Sequence, residues 1–133
     1  GTLLACQAVL PQMLEQKSGS ILLFASSIAR RGAAESAAYA ATKGGVLGLG
    51  RAIALDHARA GIRANILSPG ITDTPQPRGN MSEDALYDWA DNIPLGRIGM
   101  PEDMLGTALF LLSDEASFVA GAELCVDGGA KQV

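Results

Sequence analysis

Aromatic side chains make up only 5% of this 133-residue chain, with one histidine and two cysteines. So few rings argue against a sandwich or barrel built around bulky aromatic packing. Positive charge is also scarce: ten Lys and Arg against fourteen Asp and Glu, a net charge of −4. A nucleic-acid or acidic-membrane partner, which selects a basic face, is therefore disfavoured. No apolar run approaches the roughly 18 residues that cross a bilayer. Cys6 and Cys125 lie far apart, in apolar surroundings and without metal-ligand spacing. They read as buried free thiols of a cytoplasmic protein, with no metal site, rather than as a disulfide. No secretory leader is visible.

What is abundant is alanine, glycine and aliphatic residues, with 48% of the chain apolar. That supports one core in one domain spanning residues 1–133. The chain opens on Gly1-Thr2-Leu3-Leu4, without a cap and already inside an amphipathic pattern. It reads as a portion of a longer protein.

The apolar positions from Leu3 to about Gln16 fit a helix, with Pro11 expected to kink it. Ile21 to Ala25 is an unbroken apolar run of strand length, the pattern of a strand covered on both faces. Ala29 to Glu35 is a loop, and Ser36 is the expected N-cap of a helix running to about Arg59. Gly44, Gly45, Gly48 and Gly50 fall inside that helix, each costing roughly 1 kcal/mol against alanine, so another backbone is expected close by. Gly61 stops it. Strands follow at Ile62 to Leu67 and at Glu123 to Val126, with helices expected from Ser82 to Asn92 and from Pro101 to Ser113 between them. Strands alternating with helices imply parallel pairing in an open, doubly wound α/β sheet. Such sheets bind ligands at the carboxyl ends of their strands.

The residues capable of chemistry fall where that rule places them. Ser26 closes the first strand, Tyr39 lies in the first turn of the next helix, and Lys43 follows one turn later. An i, i+4 pair shares a helix face. A phenol is a poor base at neutral pH, and a nearby cation or a helix N-terminus favours its ionised form. A strand-end hydroxyl, a phenol and an ammonium could together move a proton to or from an alcohol or carbonyl oxygen. Tyr-x-x-x-Lys alone recurs by chance, so its context decides.

Tyr39-Ala40-Ala41-Thr42-Lys43-Gly44-Gly45, Gly19-Ser20-Ile21 through Ser26, Asn65 through Pro69-Gly70-Ile71 to Thr74, Pro94-Leu95-Gly96-Arg97 with Pro101-Glu102-Asp103, and Val126-Asp127-Gly128-Gly129 stand in order along the chain. In this the sequence resembles the short-chain dehydrogenase/reductase family over its whole length. The resemblance implies the second half of a Rossmann-like fold and an NAD- or NADP-dependent oxidoreductase that interconverts a secondary alcohol and a ketone. It implies that Tyr39 is the general acid/base, that Lys43 assists it and holds the nicotinamide ribose, and that Ser26 orients the substrate oxygen. Ser26 lies thirteen residues before Tyr39, the family spacing; Ser27 is the fallback. Pro69, Gly70, Ile71 and Thr74 would form the turn contacting the nicotinamide carboxamide or a phosphate. A homo-oligomer packed through the glycine-containing helix is implied as well.

The family's glycine-rich phosphate loop is missing from these residues. Gly45-Val46-Leu47-Gly48-Leu49-Gly50 imitates its spacing but lies mid-helix with no strand before it. Three readings therefore stand: the catalytic half of an oxidoreductase; a non-catalytic remnant that folds partly or serves as an oligomerisation partner; and a related epimerase or dehydratase, which the Pro69-Gly70 to Thr74 segment and the Asp127-Gly128-Gly129 tail disfavour. Outside the motifs, His57 reads as a solvated surface residue and Arg97 as an anchor for its loop. Arg30 and Arg31 read as surface charges, with contact to a polar substrate as the alternative. Tyr87 and Trp89 either line a substrate lid or pack a short helix.

Overall fold

The computed structural model describes residues 1–130. Helix α1 (Thr2–Gln16) turns its Cys6, Leu10 and Met13 to the core and continues through Pro11. Lys17 ends it in a left-handed conformation, where the Lys17 and Ser18 N–H groups donate to Leu14 and Met13 carbonyls. Strand β1 (Gly19–Phe24) follows, then a single helical turn α2 (Ile28–Arg31) inside the segment expected to be loop. The long helix α3 (Ala37–His57) leads through a 3-10 turn at Ala58–Ala60 to β2 (Ile62–Pro69). Beyond β2 lie the short helices α4 (Pro75–Arg78) and α5 (Glu83–Asp88), then α6 (Leu105–Leu112) and β3 (Glu123–Val126).

The three strands pair in the order β1-β2-β3, all parallel. Because side chains alternate across a strand, the register assigns each residue to a face. Ile21 stands beside Ala64 and Leu23 beside Ile66, and these side chains join Val46, Leu47, Ile53 and Cys6 in one buried cluster under α1 and α3. The intervening residues face α6. The Ser20 hydroxyl donates to the Leu111 carbonyl at 3.1 Å, and Arg63 donates to the Leu111 and Ser113 carbonyls at 2.9 Å each. Asn65, fully buried, ties the segment before β3 through Val119 O and Ala122 N. With helices on both faces, β2 is buried from Ala64 to Ser68, as its apolar composition requires.

Gly50 sets the spacing of α3 against the sheet: a Cβ there would lie 2.7 Å from Ile66 Cγ1 and 3.0 Å from Leu23 Cδ1. The other α3 glycines differ from expectation. A Cβ at Gly44, Gly45 or Gly48 meets nothing within 4 Å, so no second backbone among the described residues accounts for them.

Other differences have local causes. Ser36 is the N-cap residue of α3, its carbonyl accepting from Ala40 N at 2.8 Å, but its hydroxyl makes no capping bond and donates instead to the Ala34 carbonyl at 3.2 Å. Ser82 does cap α5, accepting from Ala85 N at 3.2 Å, but the helix tightens into a 3-10 turn at Trp89–Asn92. The segment after Pro101 likewise begins as a 3-10 turn, Pro101–Met104, before α6. Neither cysteine forms a disulfide; Cys6 is buried, which pushes its thiol pKa up, whereas Cys125 is only half-buried.

Candidate active site

The β1–β2 ladder extends beyond Phe24. Ala25 N donates to Leu67 O at 2.9 Å and Ser27 N to Pro69 O at 3.0 Å. That pairing fixes Ser26 and Ser27 at the carboxyl edge of the sheet, both nearly buried. Ser26 Oγ accepts from Ile28 N at 3.3 Å, which leaves its own O–H proton to donate. Ser27 instead forms the backbone of the α2 turn, its carbonyl accepting from Arg30 and Arg31 N–H.

Tyr39 and Lys43, both half-buried, occupy one face of the first turns of α3. Lys43 Nζ lies 5.8 Å from the Tyr39 ring centroid and donates to the Phe24 carbonyl at 2.9 Å. The ammonium thus bridges the helix to the end of β1, at the strand terminus that leads into Ser26. At that distance from an aromatic ring a cation is attracted electrostatically.

The end of β2 lies against the end of β3. Gly70 N donates to Val126 O at 2.9 Å, and a Cβ at Gly70 would meet Asp127 Cβ at 2.7 Å, so only glycine fits there. Ile71 O accepts from Gly99 N at 2.9 Å, within an isolated parallel bridge between Thr72 and Gly99. The Ile71 N–H has no partner among the described residues. Thr74, in extended backbone just before α4, donates only a long hydrogen bond of 3.4 Å to Thr72 O. Pro69, Gly70, Ile71 and Thr74 therefore form one turn at the same sheet edge as Ser26.

Two ion pairs brace this region. Arg78 clasps Asp73 through two hydrogen bonds, the second at 2.8 Å, and Tyr87 adds its hydroxyl to the same carboxylate at 3.2 Å. The Arg78 guanidinium holds the Asp73 carboxyl below its usual range. Arg97 does the same for Asp103 with bonds of 2.6 and 2.8 Å, and Met100 N donates to that carboxylate at 2.7 Å. Arg97 is thus the loop anchor its neighbouring carboxylates suggested.

Glu123 escaped sequence reasoning altogether. Its side chain is 3% exposed and receives Arg30 Nε at 2.9 Å, Arg51 Nη2 at 3.3 Å and the Ser68 hydroxyl at 2.8 Å. One carboxylate on β3 thereby holds the turn after Ser26, the helix carrying Tyr39 and Lys43, and the end of β2. Arg30 is correspondingly no idle surface charge.

A cleft of about 690 Å³ is lined by Arg31, Ile71, Trp89, Asp91, Asn92, Ile93, Pro94 and Ala130. Trp89 belongs to its wall, whereas Tyr87 is engaged with Asp73. His57 closes the far end of α3, eighteen residues from Tyr39 and so about 27 Å along the axis; it takes no part in this site. Among the described residues no cluster of His, Cys, Asp or Glu could hold a metal ion, and no helix is long and apolar enough to cross a membrane.

Comparison with known proteins agrees with this geometry. A family model described as enoyl-(acyl carrier protein) reductase matches residues 1–131. The chain is 37% identical over 124 residues to 3-oxoacyl-(acyl-carrier-protein) reductase of Chlamydia trachomatis, covering 93% of this chain and 50% of that protein. A gluconate 5-dehydrogenase from Burkholderia cenocepacia, solved with NADP and tartrate, superposes with a TM-score of 0.92 at 37% identity, over 96% of this chain and 51% of the other. A short-chain dehydrogenase/reductase family protein superposes with a TM-score of 0.90 at 34% identity, over 99% and 54%. The chain spans about half the length of these relatives, and its fold is the corresponding part of a Rossmann-like doubly wound sheet. On the match of sequence, fold and motif order, the chain belongs to the short-chain dehydrogenase/reductase family.

Proposed function

We propose that this chain is the catalytic portion, one partial domain, of an NAD(P)-dependent oxidoreductase that interconverts a secondary alcohol and a ketone. The observation carrying this reading is the placement of Lys43, whose ammonium stands 5.8 Å from the Tyr39 ring while bonded to the carbonyl that ends β1. That placement sets an ammonium beside the phenol, an arrangement that suits Tyr39 to proton transfer at the substrate oxygen. Ser26, with its O–H free to donate, orients the same oxygen. The unpartnered Ile71 N–H and the weakly engaged Thr74 hydroxyl, on the turn shaped by Pro69 and Gly70, fit the polar edge of a nicotinamide. Lys43 and Tyr39 would hold its ribose. When bound, that cofactor supplies or accepts the hydride; the protein's residues position the substrate and move the proton.

Related proteins support the cofactor class, since the Burkholderia gluconate 5-dehydrogenase was solved with NADP. The natural setting is cytoplasmic, and the assembly a homo-oligomer that buries the open glycine positions of α3. The polypeptide carrying this chain is expected to reduce NAD or NADP when offered a panel of secondary alcohols. Complete inactivity with every alcohol and both cofactors would contradict the reading. These 133 residues contain no phosphate-binding glycine loop, which favours the second reading, a non-catalytic remnant, for the isolated chain alone. Titration of that chain with NADH and NADPH separates the two. Weak or no binding is expected, and micromolar affinity would show that the cofactor site is complete within these residues.

A further inference from the structure

We propose that the cleft between α2 and the Trp89–Asn92 turn binds a polyhydroxylated carboxylic acid, with Arg31 as the group that recognises its carboxylate. The inference rests on the oxidoreductase reading and names its substrate class. At about 690 Å³ the cleft lies within the range of small-molecule sites. Its lining combines apolar Ile71, Ile93 and Pro94 with the polar Arg31, Asp91 and Asn92 and the partly exposed Trp89.

Among the described residues Arg31 and Arg59 are the arginines without an ion pair or side-chain hydrogen bond, and of the two only Arg31 lines the cleft. Arg30 and Arg51 hold Glu123, Arg78 holds Asp73, Arg97 holds Asp103 and Arg63 holds two carbonyls. Arg31 has no carboxylate within 4.0 Å among the described residues, although Asp91 lines the same cleft. Arg31 lines the cleft, and a guanidinium matches a planar carboxylate through two parallel hydrogen bonds. Its backbone is fixed, because the Arg31 and Gly32 N–H groups close the α2 turn on Ser27 and Ile28. Arg31 follows Ser26 by five residues, so the anchor for one end of the substrate and the residue orienting its reacting oxygen belong to one short segment.

The remaining lining selects among carboxylates. Asp91 accepts and Asn92 both donates and accepts, which serves hydroxyl groups. The Trp89 ring offers a surface to the C–H face of a carbon chain. A wholly apolar ketone would strip water from Arg31 and Asp91 and leave both unmatched, which is unfavourable. Among the described residues Arg31 is the single cation of the lining and Asp91 adds a negative charge, so a doubly charged phosphate is disfavoured.

Calorimetric titration of the polypeptide carrying this chain tests the inference, with Tyr39→Phe in place to prevent turnover. D-Gluconate should bind saturably, and D-glucitol, which has the same carbon chain without the carboxylate, should bind at least about tenfold more weakly. Arg31→Gln should weaken gluconate binding by a similar factor, and Arg31→Lys should restore part of it. The inference is overturned if glucitol binds as well as gluconate, if Arg31→Gln binds gluconate unchanged, if 6-phosphogluconate binds more tightly than gluconate, or if gluconate does not bind at all. Parallel assay of the wild type with other alcohols keeps the two levels apart. Alcohol oxidation without gluconate binding removes only the substrate class, whereas gluconate binding without any oxidoreductase activity removes the reaction and leaves the cleft.

Discussion

Lys43 does two jobs with one ammonium. It is bonded to a main-chain carbonyl at the end of β1 and it faces the Tyr39 ring, so the strand sets the position of a cation beside the phenol. Lys43→Met keeps the aliphatic stem and removes the charge. Turnover is expected to fall by at least about 10²-fold, the usual scale of general acid–base assistance, with an unchanged far-UV spectrum. A variant of normal activity would show that the ammonium is dispensable. The carboxylates of Asp73 and Asp103 give a second prediction at this scale. Arg78 and Arg97 hold them below their usual range. A carboxyl depressed by folding stabilises the folded form above its unfolded pKa, about 3.9. That contribution is lost only as pH falls through the lower folded value. Amide signals of residues 73–78 and 97–103 should therefore stay unchanged between pH 7 and 5 and move only below about pH 4. Movement above pH 5 would mean that these pairs do not brace the loops in solution.

Among the elements, α3 is held to the sheet at Gly50 and by Glu123. Gly50→Val would drive a branched side chain into Ile66 and Leu23 and should cost about 1–3 kcal/mol in denaturant unfolding. Gly48→Ala, which meets nothing within 4 Å, should be neutral or mildly stabilising in the same experiment. Equal destabilisation by both would place the close approach elsewhere. Glu123→Gln keeps the shape of the side chain and removes the charge shared by Arg30 and Arg51. Because both arginines are about half exposed, the expected loss of stability is modest, about 1 kcal/mol. The larger effect should be on turnover, through the turn after Ser26.

The strands and the Tyr39–Lys43 pair were legible because they rest on local rules: an unbroken apolar run in β1, alternation in β2 and the i, i+4 helix face. The limits of β3 fell at Glu123 and Val126 as the pattern indicated. The Glu123 network was not legible, because residues 30, 51, 68 and 123 meet only once β2 lies between β1 and β3. The N-cap position of Ser36 was legible too, but not the choice of its hydroxyl, which donates to Ala34 O rather than capping the helix.

At the scale of the whole molecule, the ends of all three strands, the first turns of α3 and the Arg31 cleft gather at one edge of a sheet covered on both faces. Such an edge is where an open α/β fold accepts ligands. The chain spans about half the length of its relatives, and its sheet as described offers β1 only one partner, β2. The central claim is that a proton passes through Tyr39 at this edge. It is tested most directly by alcohol-dependent cofactor reduction in the polypeptide carrying this chain, comparing wild type with Tyr39→Phe, a change of one oxygen atom. Turnover should fall by about 10²- to 10⁴-fold, with substrate binding and thermal stability preserved. Turnover within a factor of about two of wild type would contradict the claim, because a chain without that hydroxyl would still be moving the proton.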